Sequence, residues 1–348
     1  MCHERIGHPA QIPFLGRNGH GRLVSAGVTE VVILHTWLTD RFGLKVPLVG
    51  APMAGVGAGR LAAAISEAGA LGVIGASAAV TGEWIAKEAA VAGGGPYGIG
   101  LMAWALPGNP AQFEAVLELR PPMVSVSFGP YARYVEELRQ AGITVVTQAG
   151  TTDEARAAEQ AGVDAVVARG AEAGGHGRDE VGTLPLLQSV LDAVRIPVLA
   201  AGGIANARGL AAVLAAGAAG AWVGTAFMGC VETALSAAAG DRLLAAEETG
   251  TAYGRVFDIA QRLGWPPEYG GRALRNEFFD RWAGREDELA ADDSARARLE
   301  EARREGDFDT AYIYAGQGVG MVRERRTAAD VVADFAAAER LLTRFTDS

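Results

Sequence analysis

From position 46 onward, short runs of consecutive apolar, often β-branched residues alternate with longer Ala-, Leu- and Glu-rich stretches of helical period. The runs predict strands over 46–51 (VPLVGA), 71–75 (LGVIG), 97–102 (YGIGLM), 123–127 (MVSVS), 143–147 (ITVVT), 164–168 (DAVVA), 196–201 (IPVLAA) and 219–223 (AGAWV). Between them the period predicts helices over 58–68, 110–119, 130–141, 152–161, 183–194 and 206–216. Several close on Ala-Gly pairs such as Ala141-Gly142 and Ala161-Gly162, and a glycine past a helix end fits a left-handed cap. Runs that are apolar throughout, not alternating, belong to parallel strands covered on both faces. Eight strand-helix units over about 180 residues are what an eight-fold barrel requires, whereas a doubly wound open sheet usually has fewer strands. The predicted fold class is α/β, a (β/α)8 TIM barrel with a smaller, mainly helical inserted domain near the C-terminus.

The insertion is read from a change of pattern after Met228: residues 230–310 look mainly helical and become heavily charged between Arg281 and Asp309. The run from Arg285 to Glu305 reads as a solvated helix face. Glycine-rich chemistry returns at Ala315-Gly316-Gln317-Gly318-Val319-Gly320, ahead of a last helix at about 327–345. The expected organisation is a loose N-terminal arm over 1–35, a barrel over 36–229 and 311–348, and a helical insertion or lid over 230–310.

Composition narrows the function classes. The 348 residues are 49% hydrophobic, too apolar for a disordered chain. A net charge of −10 and no basic stripe argue against nucleic acid, and no apolar stretch of about 18 residues suggests a membrane span. Two cysteines, Cys2 and Cys230, make no disulfide framework and lack metal-ligand spacing, so a cytoplasmic protein is expected. The first residues lack the basic and apolar regions of a signal peptide. His3, His8 and His20 are too irregularly spaced to suggest a metal site, and none is expected.

The remaining chemistry gathers at strand ends. His176, the only histidine beyond position 35, lies among glycines in ARGAEAGGHGR at 168–178, directly after a strand. Glycines let backbone approach a ligand, and imidazole exchanges protons near neutral pH, so His176 is a candidate base, with a turn-capping histidine as the bland alternative. In barrels of this kind phosphate is commonly held after strands 7 and 8. Here those loops are Ala200-Ala201-Gly202-Gly203-Ile204 and Val223-Gly224-Thr225, both offering backbone N–H groups beside a helix N-terminus. A phosphate there means either a phosphorylated substrate or a cofactor such as FMN. In Ala51-Pro52-Met53-Ala54-Gly55 a methionine beside a proline-fixed turn could supply a soft platform for an isoalloxazine ring, or simply plug the barrel. Met102, Trp104 and Phe128 are candidate walls of a compact apolar pocket.

Taken in order, GAPMAG at 50–55, ARGAEAGGHGR at 168–178, PVLAAGGIANARGLAAVLAAGAAGAWVGTAFM at 197–228 and AGQGVG at 315–320 resemble the nitronate monooxygenase family. The resemblance covers about residues 36–345 and extends to FMN-dependent enoyl-acyl-carrier-protein reductases. It implies FMN, with Ala51, Pro52 and Met53 facing the flavin, Gly174 and Gly175 near it, and Gly202, Gly203, Gly224 and Thr225 on its phosphate. It also implies a site role for Gln317 in the late glycine loop, and proton abstraction by His176. Three departures stand out. Arg169 replaces a common glutamine and could bring positive charge to the flavin or bind a carboxylate. An asparagine usual after the third strand is absent from Gly98-Ile99-Gly100-Leu101-Met102, and Gln148 stands where relatives often carry lysine.

The implied activity is oxidation of nitroalkanes or alkyl nitronates by O2 to a carbonyl compound and nitrite. The alternatives are an FMN- and NAD(P)H-dependent enoyl-thioester reductase and a non-catalytic flavin- or phosphate-binding barrel. The acidic net charge speaks weakly against an acidic carrier protein. A homodimer is left open.

Overall fold

The computed structural model describes residues 34–343. The arm expected over 1–35 falls almost wholly outside the described residues. Eleven strands are present among those described: β1 (Leu48–Gly50), β2 (Leu71–Gly75), β3 (Tyr97–Met102), β4 (Met123–Ser127), β5 (Thr144–Ala149), β6 (Ala165–Arg169), β7 (Gly175–Gly177), β8 (Val198–Ala201), β9 (Gly220–Val223), β10 (Thr251–Gly254) and β11 (Gly270–Leu274). Eight of them close a parallel barrel in the order β1-β2-β3-β4-β5-β6-β8-β9. Closure is made by β1 on β9, with Leu48, Val49 and Gly50 opposite Ala221, Trp222 and Val223. The eight strands expected from the apolar runs are the barrel strands.

Alternate residues of each strand feed two cores. Leu71, Val73, Ala165, Val167, Leu199, Ala201 and Trp222 join Leu38 in one cluster, which fills the lumen. Their neighbours Ile74, Val166, Ala168, Val198 and Ala200 pack outward with helix residues such as Ile65, Leu138 and Leu210. Both faces are dry, which is why the runs carry no polar alternation. Leu38 belongs to the short helix Trp37–Phe42, opened by a Thr36 capping box and ended by Gly43 at φ 67°. That helix plugs the lumen at the N-terminal ends of the strands, where a Cβ on Gly220 at the start of β9 would meet Leu38 Cδ2.

The segment after Met228 carries the helices Ala237–Leu244, Val256–Gln261, Glu277–Trp282, Glu286–Ala290 and Asp293–Glu305. Its core is aromatic, built from Phe257, Phe278, Phe279 and Trp282 with Val256, Leu289 and Leu299. The charged helix Asp293–Glu305 buries only Ala295, Leu299 and Ala302. Its charged side chains face water, as the run from Arg285 to Glu305 suggested. The same segment also holds β10 and β11, which form an antiparallel sheet with β7 in the order β10-β11-β7. Among the described residues no helix is long and apolar enough to cross a membrane.

Candidate functional site

The loops at the C-terminal ends of the barrel strands converge. After β8, Gly202 and Gly203 take φ of 111° and 67°, a left-handed path that only glycine follows without strain. A side chain on Gly202 would also run into Thr183 Oγ1. After β9, Gly224 leads into the single helical turn Thr225–Met228. The backbone N–H groups of Gly202, Gly203, Gly224 and Thr225 have no hydrogen-bond partner among the described residues. Four unpartnered donors at adjacent strand ends are the chemistry an anion requires. Ala51–Met53 reach the same place: Ala51 N donates to Val223 O at 2.8 Å, and a Cβ on Gly224 would lie 3.5 Å from Met53 Sδ.

The late glycine loop closes over this end. Gly316 N donates to Thr225 Oγ1 at 2.9 Å, and Gln317 N donates to Glu172 O at 2.9 Å. Gly174 and Gly316 lie so close that a side chain on either would collide with the backbone of the other. Gln317 contributes its backbone here while its side chain is exposed. Gln148, half-buried at the end of β5, donates its backbone N–H to Ser127 Oγ at 3.1 Å. Its side-chain amide has no partner among the described residues, so it is free for a ligand.

Arg169 ends β6 and is 4% exposed. Its guanidinium turns under the following loop, Nη2 donating to the carbonyl oxygens of Ala173, Gly174 and Gly175 at 3.1, 3.1 and 2.9 Å. Burial pulls its pKa down to about 10. The arginine therefore fixes the shape of the loop that presents Gly174, Gly175 and His176. Nearby, Glu172 is occupied by Thr183, accepting from its N–H and its hydroxyl, both at 2.8 Å.

His176 sits at the centre of β7, opposite Gly271 of β11. Its Nε2 lies 2.7 Å from Oδ1 of Asp258, which is 1% exposed in the helix Val256–Gln261. Tyr314 donates to the same Oδ1 at 3.0 Å. Burial first, and then the Asp258 carboxylate, hold the Tyr314 phenol well above its ordinary pKa, so it stays a donor. The Trp265 ring stacks on the imidazole at 3.7 Å and 3°. Trp104 and Phe128 each lie 5.3 Å from Trp265, and Tyr269 is 5.4 Å from Phe128. Phe128 adopts φ 66°, a costly conformation for an aromatic residue and one that clusters at ligand sites. Trp104 Nε1 is buried without a partner.

Asp258, Trp265 and Tyr314 escape a reading of the chain in order, because each is brought to His176 by β10 and β11, short strands that interrupt a segment of helical composition. One signal was available. Asp258 is the lone acid in the apolar stretch Val256-Phe257-Asp258-Ile259-Ala260, where burial demands a partner.

Two family models match the chain, nitronate monooxygenase over residues 104–337 and IMP dehydrogenase / GMP reductase domain over residues 23–181. A nitronate monooxygenase of Paraburkholderia phytofirmans is 32% identical over 349 residues, covering 85% of this chain and 93% of that protein. An octahydro-indene-carboxyl-CoA dehydrogenase of Rhodococcus jostii is 38% identical over 200 residues, or 56% of this chain and 55% of that one. Among solved structures, the nitroalkane oxidase of Streptomyces ansochromogenes superposes with TM-score 0.74 at 34% identity, over 88% of this chain and 99% of that chain.

Proposed function

The chain belongs to the nitronate monooxygenase family, a family of oxidoreductases, and from that premise we propose that it oxidises small nitroalkanes or their nitronates with O2, using FMN and His176 as general base. The observation that carries this reading is the imidazole of His176, engaged at Nε2 and without a partner at Nδ1, at the strand ends that also offer four unpartnered N–H groups. Those donors fit the phosphate of FMN, and the free Gln148 amide with Met53 fits its ring. Gly202, Gly203, Gly224 and Thr225 would hold the phosphate, with Ala51, Pro52, Met53, Gly174, Gly175 and Gln148 beside the ring. Arg169 and the backbone of Gln317 would act through the loops they tie. When bound, the flavin supplies electron exchange between substrate and O2.

The chain's own part is proton transfer and exclusion of water. A nitro group acidifies the adjacent C–H, and a buried base can take that proton. The C–H electrons remain on the substrate as the nitronate while the new N–H forms on His176. Trp104, Phe128 and Trp265 give the proton acceptor an apolar surround suited to a compact substrate. Residues 230–310, which supply Asp258 and Trp265, serve in this reading as the lid over the barrel mouth.

The test is an absorption spectrum followed by nitrite release from nitroethane and from ethyl nitronate under air. Flavin bands with nitrite are expected, and a His176→Ala variant should lose roughly a hundredfold or more on nitroethane while retaining nitronate turnover. Equal activity of that variant on both forms would sink the base assignment. The identity with the Rhodococcus jostii carboxyl-CoA dehydrogenase favours a second reading, redox chemistry on a thioester, which we take as FMN- and NAD(P)H-dependent reduction of an enoyl thioester. NADH consumption without any nitro compound, and no nitrite, would select it.

A further inference from the structure

We propose that Asp258 is a positioning residue that fixes His176 as its Nε2–H tautomer, leaving Nδ1 as the atom that accepts the substrate proton; this rests on His176 being the base. Oδ1 of Asp258 lies 2.7 Å from His176 Nε2 and 3.0 Å from the Tyr314 hydroxyl. A carboxylate oxygen only accepts, so the imidazole nitrogen facing it carries the hydrogen. The lone pair is then on Nδ1, which has no partner among the described residues.

Three contacts leave the ring little freedom to turn. Trp265 covers one face at 3.7 Å, Tyr314 leans on it with centroids 4.9 Å apart, and Gly271 opposes it across the strand pair. A Cβ on Gly271 would lie 2.6 Å from the Tyr314 ring and 3.3 Å from His176 Nε2, so β11 has no side chain where the triad closes.

The other oxygen, Oδ2, is buried with no hydrogen-bond partner. A buried carboxylate so incompletely satisfied is poor as structural cement, since neutral groups would hold the fold at lower cost. It becomes useful when charge develops beside it. As the substrate C–H breaks and the Nδ1–H bond forms, the imidazole becomes an imidazolium whose Nε2–H still faces Asp258. The carboxylate stabilises that cation and keeps its own charge, and the electron pair stays on the nitronate. This is the logic by which an aspartate serves a histidine base in unrelated hydrolases.

The test uses the holoenzyme with 15N-labelled histidine, reading the imidazole tautomer of His176 by long-range 1H–15N correlation. Nitroethane and ethyl nitronate turnover are measured alongside. The wild type should show the Nε2–H form. Asp258→Asn should lose that form and lower kcat on nitroethane roughly a thousandfold, with nitronate turnover nearly unchanged. Asp258→Glu should restore part of both, and it also serves if the asparagine variant does not fold. A wild-type Nδ1–H tautomer, an unchanged tautomer in Asp258→Asn, or equal loss on the two substrates would overturn the proposal. The tautomer is read without turnover, so the two readings are told apart: Nε2–H in the wild type beside an unimpaired His176→Ala variant removes the base assignment and the proton-accepting role of Nδ1 with it, and leaves only the tautomer standing.

Discussion

Replacing Arg169 by methionine keeps most of the side-chain volume and removes every donor. In the native chain Nη2 serves three carbonyl oxygens at 2.9–3.1 Å, but it has two hydrogens, so two full bonds are the sensible count. Hydrogen bonds to a charged group contribute about 1.5–3 kcal/mol each net of desolvation, hence roughly 3–6 kcal/mol. The burial that pulls the guanidinium pKa down to about 10 places this pair at the low end of that range. The native arginine is thus a modest net stabiliser. Its loss costs more than that net, because the carbonyls of Ala173, Gly174 and Gly175 are left without their donor at about 1–3 kcal/mol for each that stays dry. We expect Arg169→Met to destabilise the protein by about 2–4 kcal/mol, and Arg169→Lys by less, since an ammonium keeps the charge and loses the fork. Urea unfolding followed by circular dichroism measures the loss, and flavin fluorescence reports cofactor release in the same titration. The released loop carries Gly174 and Gly175, so release should come at lower urea than global unfolding. A variant within about 0.5 kcal/mol of wild type, with coincident transitions, would refute this account of the arginine.

Two further outcomes are expected. Gly202→Ala puts a methyl against Thr183 Oγ1 at φ 111° and should cost about 1–3 kcal/mol while lowering the FMN content of the purified protein; full flavin occupancy at unchanged Tm would contradict the phosphate placement. Cys230 is fully buried, and desolvation pushes its thiol from 9.0 up to about 12. The folded chain therefore keeps a proton that the unfolded chain loses between those values, so this group's contribution to stability falls as pH rises through that window. In a Cys2→Ser background, a thiol reagent at pH 8 should modify Cys230 only at the rate of unfolding, and rapid labelling in native buffer would count against its burial.

The barrel was legible because a parallel strand buried on both faces writes an unbroken apolar run, and eight such runs return at β1 to β6, β8 and β9. The helix Pro110–Leu119 was expected over those same residues from its period, and the proline at its first turn is what makes its start sharp. β7, β10 and β11 were not legible. Gly-His-Gly, Thr-Ala-Tyr-Gly and Gly-Gly-Arg-Ala-Leu are too short and too glycine-rich to show a period, and only pairing across distant sequence makes them strands. The same limit hid the partners of His176. The histidine announces itself by chemistry, but Asp258 lies 82 positions along the chain and looks like one acid among many. For Arg169, residue type suggested a charge offered to a ligand or a carboxylate, whereas the fold spends it on loop carbonyls. No local pattern distinguishes the two, because the acceptors are backbone atoms, identical at every position.

The interlocked glycines carry a consequence for how the protein is made. Gly174 is synthesised with the middle of the barrel, and Gly316 emerges only after the whole segment from Cys230 to Thr310. A nascent chain can close its eight-stranded wall once Val223 has left the ribosome, yet the loop around Gly174 lacks its cover until Gly316 has followed. If the proposed flavin is held there, its capture waits for Gly316 to follow. Truncation between Val223 and Gly316 should release chains that carry all eight barrel strands without this cover, so weaker retention of the proposed flavin in such a product would separate cofactor capture from formation of the barrel wall.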